Sequence, residues 1–259
     1  MTGRFPRIPG LLAGILMLVF LPGCSVLEDR DICPAQLLLH LPPQEAPVLV
    51  ALESASEPPS VQQDTLPPGV TDWSAFIPRK PLWIRAAVPA SVYDAVSGVK
   101  IPEGSHCPEV RLYRREHTSI GEQVRDTVVF NKPYCRLEIK VVWAQNPGAY
   151  DLTVRGNVAG LDRDGQPVPG VFRYRTRPSA AGSCFVNLPR QLDDSLLLDL
   201  TAGADPVRTF ALGEYLAEAG YDWTAEDLSD ASVTIDFART TLAISVAGWT
   251  RVFQFQVII

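Results

Sequence analysis

Residues 231–257 read ASVTIDFARTTLAISVAGWTRVFQFQV, and they contain three consecutive runs in which apolar and polar side chains alternate. The apolar members are Val233, Ile235 and Phe237 in the first run, Leu242, Ile244 and Val246 in the second, and Phe253, Phe255 and Val257 in the third. A period of two is typical of a strand with one buried face. Turn residues separate the runs, so this stretch predicts three sequential antiparallel strands. The final strand is predicted to contribute its phenylalanines to its own domain core, although it is also apolar enough to pair with another chain.

The same alternation extends upstream to residue 137. We expect strands around Leu137–Val141 and Tyr150–Arg155, a hairpin turn at Asp162–Gly165, and further strands at Cys184–Leu188 and Ser195–Thr201. One amphipathic helix is predicted from the spacing of Leu212, Tyr215, Leu216 and Ala219, and Gly220 provides its end. Short strands with a single small helix predict an all-β fold built from antiparallel sandwiches.

The first half of the chain has a weaker pattern. Strands are expected at Leu37–Leu41, Val48–Leu52 and Leu82–Val88, and Val110, Leu112 and Val128–Phe130 are assigned to further strands. Residues 53–72 are rich in Ser, Pro, Glu and Gln and are predicted to form a loop. A domain boundary near Asn131–Pro133 gives an N-terminal domain at residues 24–130 and a C-terminal domain at residues 131–259.

The N-terminus has the layout of a lipoprotein signal peptide. Arg4 and Arg7 precede an apolar run that ends in Leu21-Pro22-Gly23-Cys24. This junction resembles the lipobox of bacterial lipoproteins, which predicts cleavage after residue 23 and acylation of Cys24. An uncleaved signal anchor is the alternative, and the run is short for it. The acidic residues at positions 28–31 fit either a solvated spacer or a surface-export signal.

Cysteine content and charge narrow the class of protein. Four cysteines remain if Cys24 is acylated, namely Cys33, Cys107, Cys135 and Cys184. They allow two disulfides with three possible pairings, or they are unpaired buried thiols. The net charge of −6 argues against nucleic-acid binding.

Catalytic and metal motifs are weak in this sequence. No G-x-S-x-G motif occurs, and no short-spaced Cys or His pair accompanies His106-Cys107, so neither a hydrolase triad nor a zinc site is predicted. Asp162–Gly165 lacks the further ligands of a calcium loop. Asp236 and Glu214 could form an acid–base couple, but solvated faces explain both. We therefore expect a non-enzymatic protein without a cofactor.

Five tryptophans could serve a binding surface or a core. Trp73 falls in the Pro-rich stretch and is expected to be the most exposed, while Trp223 and Trp249 flank the strand trio and are expected to be structural. The remaining two are Trp83 and Trp143.

Several segments together resemble one family. They are Cys24-Ser25-Val26, Asp31-Ile32-Cys33-Pro34, Arg155-Gly156-Asn157-Val158, Pro189-Arg190-Gln191, Phe210-Ala211-Leu212-Gly213-Glu214-Tyr215, Gly220-Tyr221-Asp222-Trp223, Glu226-Asp227-Leu228, Val233–Arg239 and Gly248-Trp249. In this order they resemble the FimB-type minor fimbrial anchor subunits, lipoproteins of the fimbrillin superfamily. The match is dense over residues 24–34 and 127–259.

The resemblance implies two tandem transthyretin-like β-sandwich domains, with the short helix in the second. It implies an outer-membrane, surface-exposed lipoprotein at the base of a fimbrial fibre (pilus), whose partner is a subunit of the same fibre bound by strand addition. A surface adhesin that binds a host glycan or protein is the alternative function for the same fold.

Overall fold

The alternating segments form strands throughout the part of the chain that the computed structural model describes, which comprises residues 33–55, 60–142, 150–203 and 205–255. Pro34–Ile259 forms one compact unit, and of the other unit, Met1–Cys33, only Cys33 is described. The predicted signal peptide (residues 1–23), Cys24 and the acidic residues 28–31 lie outside the described residues. No helix among the described residues is long and apolar enough to cross a membrane.

The first half contains eight strands among its described residues. They are β1 (Ala35–His40), β2 (Val48–Ser54), β3 (Ser60–Leu66), β4 (Asp72–Ile77), β5 (Leu82–Val88), β6 (Val99–Lys100), β7 (Arg111–His117) and β8 (Gln123–Thr127), with a 3-10 turn at Ala90–Val92. The second half contains β9 (Tyr134–Val142), β10 (Asp151–Leu161), β11 (Pro167–Thr176), β12 (Ser183–Pro189), β13 (Leu197–Ala202), β14 (Asp205–Phe210), helix α1 (Leu212–Glu218), β15 (Ala231–Asp236), β16 (Thr241–Val246) and β17 (Trp249–Gln254).

The first sandwich packs a three-stranded sheet, β4-β1-β8, on a four-stranded sheet, β3-β2-β5-β7. Strand β1 pairs antiparallel with β4 and parallel with β8. Leu37 and Leu39 of β1 face the core, because alternate side chains of a strand point to one side. Their neighbours across the core include Val50 and Ile84 of the other sheet.

The predicted loop at residues 53–72 is wrong for much of its length. Ser60–Leu66 forms β3, which pairs with β2 from Val48↔Leu66 to Ser54↔Ser60. β3 lies at the sheet edge with only Leu66 buried among its described side chains. A polar edge strand lacks the apolar alternation on which the prediction depended. Val128–Phe130 is also corrected, because it follows β8 outside any strand.

The second sandwich packs the sheet β11-β10-β13-β14 on the sheet β12-β9-β15-β16-β17. The predicted inward positions of β15 and β16 are confirmed, since Val233, Ile235, Leu242 and Ile244 are all fully buried. Helix α1 packs Leu212 and Leu216 into the same core. The all-β sandwich class predicted from the sequence is therefore correct.

The final strand is less buried than its alternation predicts. Phe253 is half-buried against Tyr215, and Phe255 is buried against Phe210 and Phe237, so the predicted inward face exists at this end. Residues 249–252 are exposed instead, because β17 is the outermost strand described in its sheet. Val257 lies outside the described residues.

A short strand from the first half of the chain pairs with a strand of the second sandwich. β6 pairs antiparallel with β10, with Val99 opposite Leu161 and Lys100 opposite Gly160. A separate buried cluster surrounds this joint and contains residues from both halves: Ala51, Ala87, Tyr93, Ala95, Val99, Cys107, Val110, Tyr134 and Leu161. The two sandwiches therefore share an apolar junction. The division at residue 130 stays a prediction.

An ionic cluster lies at the same junction. Arg85 of β5 has a side chain only 4% exposed, and it donates to Glu53 of β2 and to Asp164 of the β10–β11 turn, each at 2.7 Å. Arg163 of that turn also contacts Glu53 at 2.9 Å, and the Tyr93 hydroxyl donates to the Arg163 carbonyl at 2.7 Å. The predicted hairpin turn at 162–165 is present, and its charged residues connect the two sandwiches.

Candidate functional site

The described cysteines are unpaired in the structure. Cys107, Cys135 and Cys184 are buried and Cys33 is exposed, so none of the disulfides considered from the sequence is formed among them. Burial raises the pKa of the Cys107 thiol to about 12 and those of Cys135 and Cys184 to about 11. These three thiols serve as small apolar core groups. Cys24, the predicted lipidation residue, lies outside the described residues.

The sheet edges are candidate sites for strand addition, and several are interrupted. β11 carries Pro167 and Pro169, and β14 carries Pro206, each of which lacks a main-chain donor. β12 is contacted by the loop between β6 and β7, because the Cys107 N–H donates to the Asn187 carbonyl at 2.9 Å. The His106 ring also accepts from the Asn187 N–H at 3.3 Å.

β17 has an edge without proline. The Phe255 N–H donates to the Thr240 carbonyl at 2.9 Å, in line with the register that pairs β16 with β17. Because hydrogen-bonded and non-hydrogen-bonded pairs alternate in an antiparallel ladder, the main-chain groups of Thr250, Val252 and Gln254 point away from β16. Side chains of all three are exposed. This arrangement can accept main-chain hydrogen bonds from a further strand.

A surface cavity of about 640 Å³ lies on the first sandwich. It is lined by side chains of β1, β4, β7 and β8, among them His40, Asp72, Arg115, Arg125 and Asp126. His40 Nδ1 lies 3.0 Å from Asp72 Oδ1, and hydrogen bonds from His40 and Thr71 lower the pKa of the Asp72 carboxyl.

The Asp126 carboxylate anchors one wall of that cavity. Its side chain is 1% exposed, and it accepts hydrogen bonds from the Tyr113 hydroxyl at 2.5 Å and from Arg115 Nη1 at 2.9 Å. His117 Nε2 lies 3.0 Å from Asp126 Oδ2, the oxygen that also accepts from Tyr113. Burial and the neighbouring carboxylate raise the pKa of Tyr113, so its hydroxyl remains a donor.

Asp236 and His106, which were considered for catalysis and metal binding, have structural partners. Asp236 accepts hydrogen bonds from the N–H groups of Ala238 and Arg239, both at 3.0 Å, and so shapes the β15–β16 turn, while Glu214 is exposed in the first turn of α1. His106 stacks on Tyr174 with ring centroids 5.2 Å apart. Across the described ranges, no group of three or more His, Cys, Asp or Glu side chains is placed to hold a metal ion.

Two of the predictions for the tryptophans are wrong. Trp73 is half-buried against the first core and donates its indole N–H to Asp64 at 2.9 Å, so it is not the exposed residue that the sequence suggested. Trp249 is 82% exposed and is not a structural clasp. Trp223 is buried beside Tyr221, as expected. Trp143 lies outside the described residues.

Comparison with known proteins supports the fold. No protein-family model matches the sequence, and no curated protein does. A solved structure described as a candidate polysaccharide-binding protein of Bacteroides thetaiotaomicron is 14% identical with a TM-score of 0.64, covering 85% of this chain and 98% of that one. The fimbrial anchor protein Mfa2 of Porphyromonas gingivalis is 12% identical with a TM-score of 0.57, covering 84% and 99%.

A fimbrial assembly protein of Parabacteroides distasonis is 9% identical with a TM-score of 0.51, covering 86% of this chain and 100% of that one. At these identities the likeness shows a shared fold. The FimB-type resemblance of the sequence therefore stays a prediction.

Proposed function

We propose that this chain is a non-enzymatic structural lipoprotein that anchors a fimbrial fibre to the bacterial outer membrane. The observation that carries the proposal is its fold likeness to a fimbrial anchor protein over 84% of this chain and 99% of that one. The covered share is too large to be confined to one of the two sandwiches. The motifs that resemble FimB-type subunits point in the same direction.

The membrane attachment in this proposal is acylated Cys24. An apolar run that ends in Gly23-Cys24 suits cleavage and lipidation. One acyl chain holds a protein only reversibly, whereas two or more acyl chains give stable anchoring. The folded unit that begins at Pro34 would then be held near the membrane by a short tether.

The fibre contact in this proposal is strand addition at β17. An exposed strand edge binds an extended chain through main-chain hydrogen bonds, and the side chains of that chain alternate between the two faces. The outward groups of Thr250, Val252 and Gln254 offer such a ladder. Val252 is 59% exposed and provides an apolar contact beside it.

Cys24→Ala tests the anchor, with Cys33→Ala as the matched control for loss of a nearby exposed cysteine. Cells that produce each variant would be imaged for fimbriae, and the culture medium would be blotted for fibre subunits. We expect fibres in the medium for Cys24→Ala only. Fibres that remain attached in that variant would contradict the anchoring function.

Val252→Pro tests the strand edge, because proline removes a donor that points away from β16 and leaves the β16 ladder intact. Val252→Thr keeps the donor and the branched side chain and serves as the control. Capture of the fimbrial subunit should fall for the proline variant and remain for the threonine variant. Equal capture by both would place the contact elsewhere.

A further inference from the structure

The outer face of the β4-β1-β8 sheet presents three rows of side chains. Strand register aligns Asp72, His40 and Thr127 in one row, Ser74, Leu38 and Arg125 in the next, and Phe76, Gln36 and Gln123 in the third. The rows lie on one face because their members are two residues apart along each strand. The first two rows line the 640 Å³ cavity, and the third row is adjacent to them on the same face of the sheet.

Arg125 is held in place by a chain of amide groups. Gln123 Nε2 donates to Gln36 Oε1 at 3.1 Å, and Gln123 Oε1 accepts from Arg125 Nε at 2.8 Å. Among the described residues, no carboxylate lies within 4.0 Å of the Arg125 guanidinium. Its terminal nitrogens are therefore oriented donors without a direct ion-pair partner among the described residues.

A second guanidinium faces the same cavity. Arg115 is tied through Nη1 to Asp126, and its side chain is 58% exposed. The Asp126 carboxylate is almost fully buried and is occupied by Tyr113 and His117 as well as Arg115. A ligand in the cavity thus meets two guanidinium groups, while this carboxylate is turned inward.

The remaining groups on this face are those that recognise sugars. Phe76 is 72% exposed and offers a flat apolar surface two residues from Ser74. Ser74 and Thr127 have hydroxyls, and Asp72, 80% exposed, has carboxylate oxygens that accept from hydroxyl groups. By strand spacing, Phe76 and Arg125 are separated by about 10 Å across the strands and about 7 Å along them. A short oligosaccharide can reach both.

We propose that this face binds an acidic saccharide, with its carboxylate or sulfate on Arg125 and a sugar ring on Phe76. Planar guanidinium groups bind such anions through paired, charge-assisted hydrogen bonds. The cavity lining contains two arginines and two aspartates, but the buried Asp126 carboxylate is already bonded to Arg115, so Arg125 is the lining cation that has no ion-pair partner among the described residues. This binding is independent of the anchoring function and of β17.

The test is a glycan array that carries carboxylated, sulfated and neutral oligosaccharides of equal length, probed with a soluble chain that begins at Ser25. The best ligand would then be titrated calorimetrically against three variants. Arg125→Gln and Phe76→Ala change exposed side chains of the face, and Arg173→Gln changes an exposed arginine of the second sandwich as a control.

We expect acidic glycans to bind, with affinity lowered about 10-fold or more by Arg125→Gln. Phe76→Ala should also weaken binding, Arg173→Gln should not, and added salt should reduce the affinity. The proposal would be overturned if no acidic glycan bound, if neutral and acidic glycans bound equally, or if Arg125→Gln left the affinity unchanged. Because these measurements use purified protein, they leave the anchoring test unaffected.

Discussion

Gly98 is the position at which one added methyl group should disrupt the junction between the sandwiches. Its φ is +79°, and a Cβ built there would lie 2.2 Å from the Leu161 carbonyl oxygen and 2.3 Å from the Asp162 carbonyl carbon. Both neighbours are backbone atoms, so they cannot move aside as a flexible side chain does. In Gly98→Ala the β6 segment must therefore move away from β10.

Gly69→Ala provides a matched control, because Gly69 has a φ of +81° and no heavy atom within 4 Å of its added Cβ. That variant carries the left-handed backbone cost alone, about 1 kcal/mol. Gly98→Ala adds the exposure of Val99, which is 1% exposed in the structure, at about 2 kcal/mol. We expect it to be less stable by about 3 kcal/mol in total.

Thermal unfolding measures the difference between these variants. For a protein of this size, the extra 2 kcal/mol corresponds to a Tm about 4–8 °C below that of Gly69→Ala. Hydrogen exchange at Ile101 and Leu161 should be faster only in Gly98→Ala, because the Ile101 N–H donates to the Ala159 carbonyl at 3.2 Å and Leu161 pairs with Val99 in the disrupted strand pair. Equal Tm values for the two variants would refute the close packing of β6 on β10.

Three further predictions concern charges and thiols. Arg85→Met should lower the free energy of unfolding by about 3 kcal/mol, because two carboxylates lose their shared cation, whereas exposed Arg173→Met should change it by less than about 0.5 kcal/mol in urea unfolding. In the chain that begins at Ser25, a thiol reagent should titrate Cys33 alone in the native state and four thiols after denaturation; fewer than four would reveal a disulfide. Hydrogen bonds from two arginines lower the pKa of Asp151 in the folded protein below 3.8. The ionised carboxylate therefore stabilises the folded state above that pH, and this contribution is lost as the pH falls through the pKa of the folded state. Asp151→Asn should therefore lower the Tm at about pH 6, and this deficit should shrink as the pH is lowered through the pKa of the folded state; a deficit that does not change with pH would contradict this.

The second sandwich was predictable where strands have one buried face. In β9, β15 and β16, apolar and polar residues alternate because buried and less buried positions alternate. The spacing of the apolar residues in α1 matches a helix that packs one face on a core. Edge strands were harder to predict. β3 lacks a consistent apolar face, and β17 has an apolar pattern that its exposed first half does not follow.

The junction and the cavity could not be read from the sequence, because each depends on distant residues. Arg85 binds Asp164, which is 79 positions away, and Gln36 binds Gln123, which is 87 positions away. No local period or spacing reports such pairs. Arg125 therefore had no distinguishing feature until strand register placed it beside Leu38 and on the same face as Phe76.

Immunogold labelling of this chain on intact cells tests the anchoring claim most directly. A fibre anchor should label only the membrane-proximal end of each fimbria, and fibres sheared from the cells should carry label at one end or none. Label distributed along the shafts, or confined to membrane without fimbriae, would contradict the account.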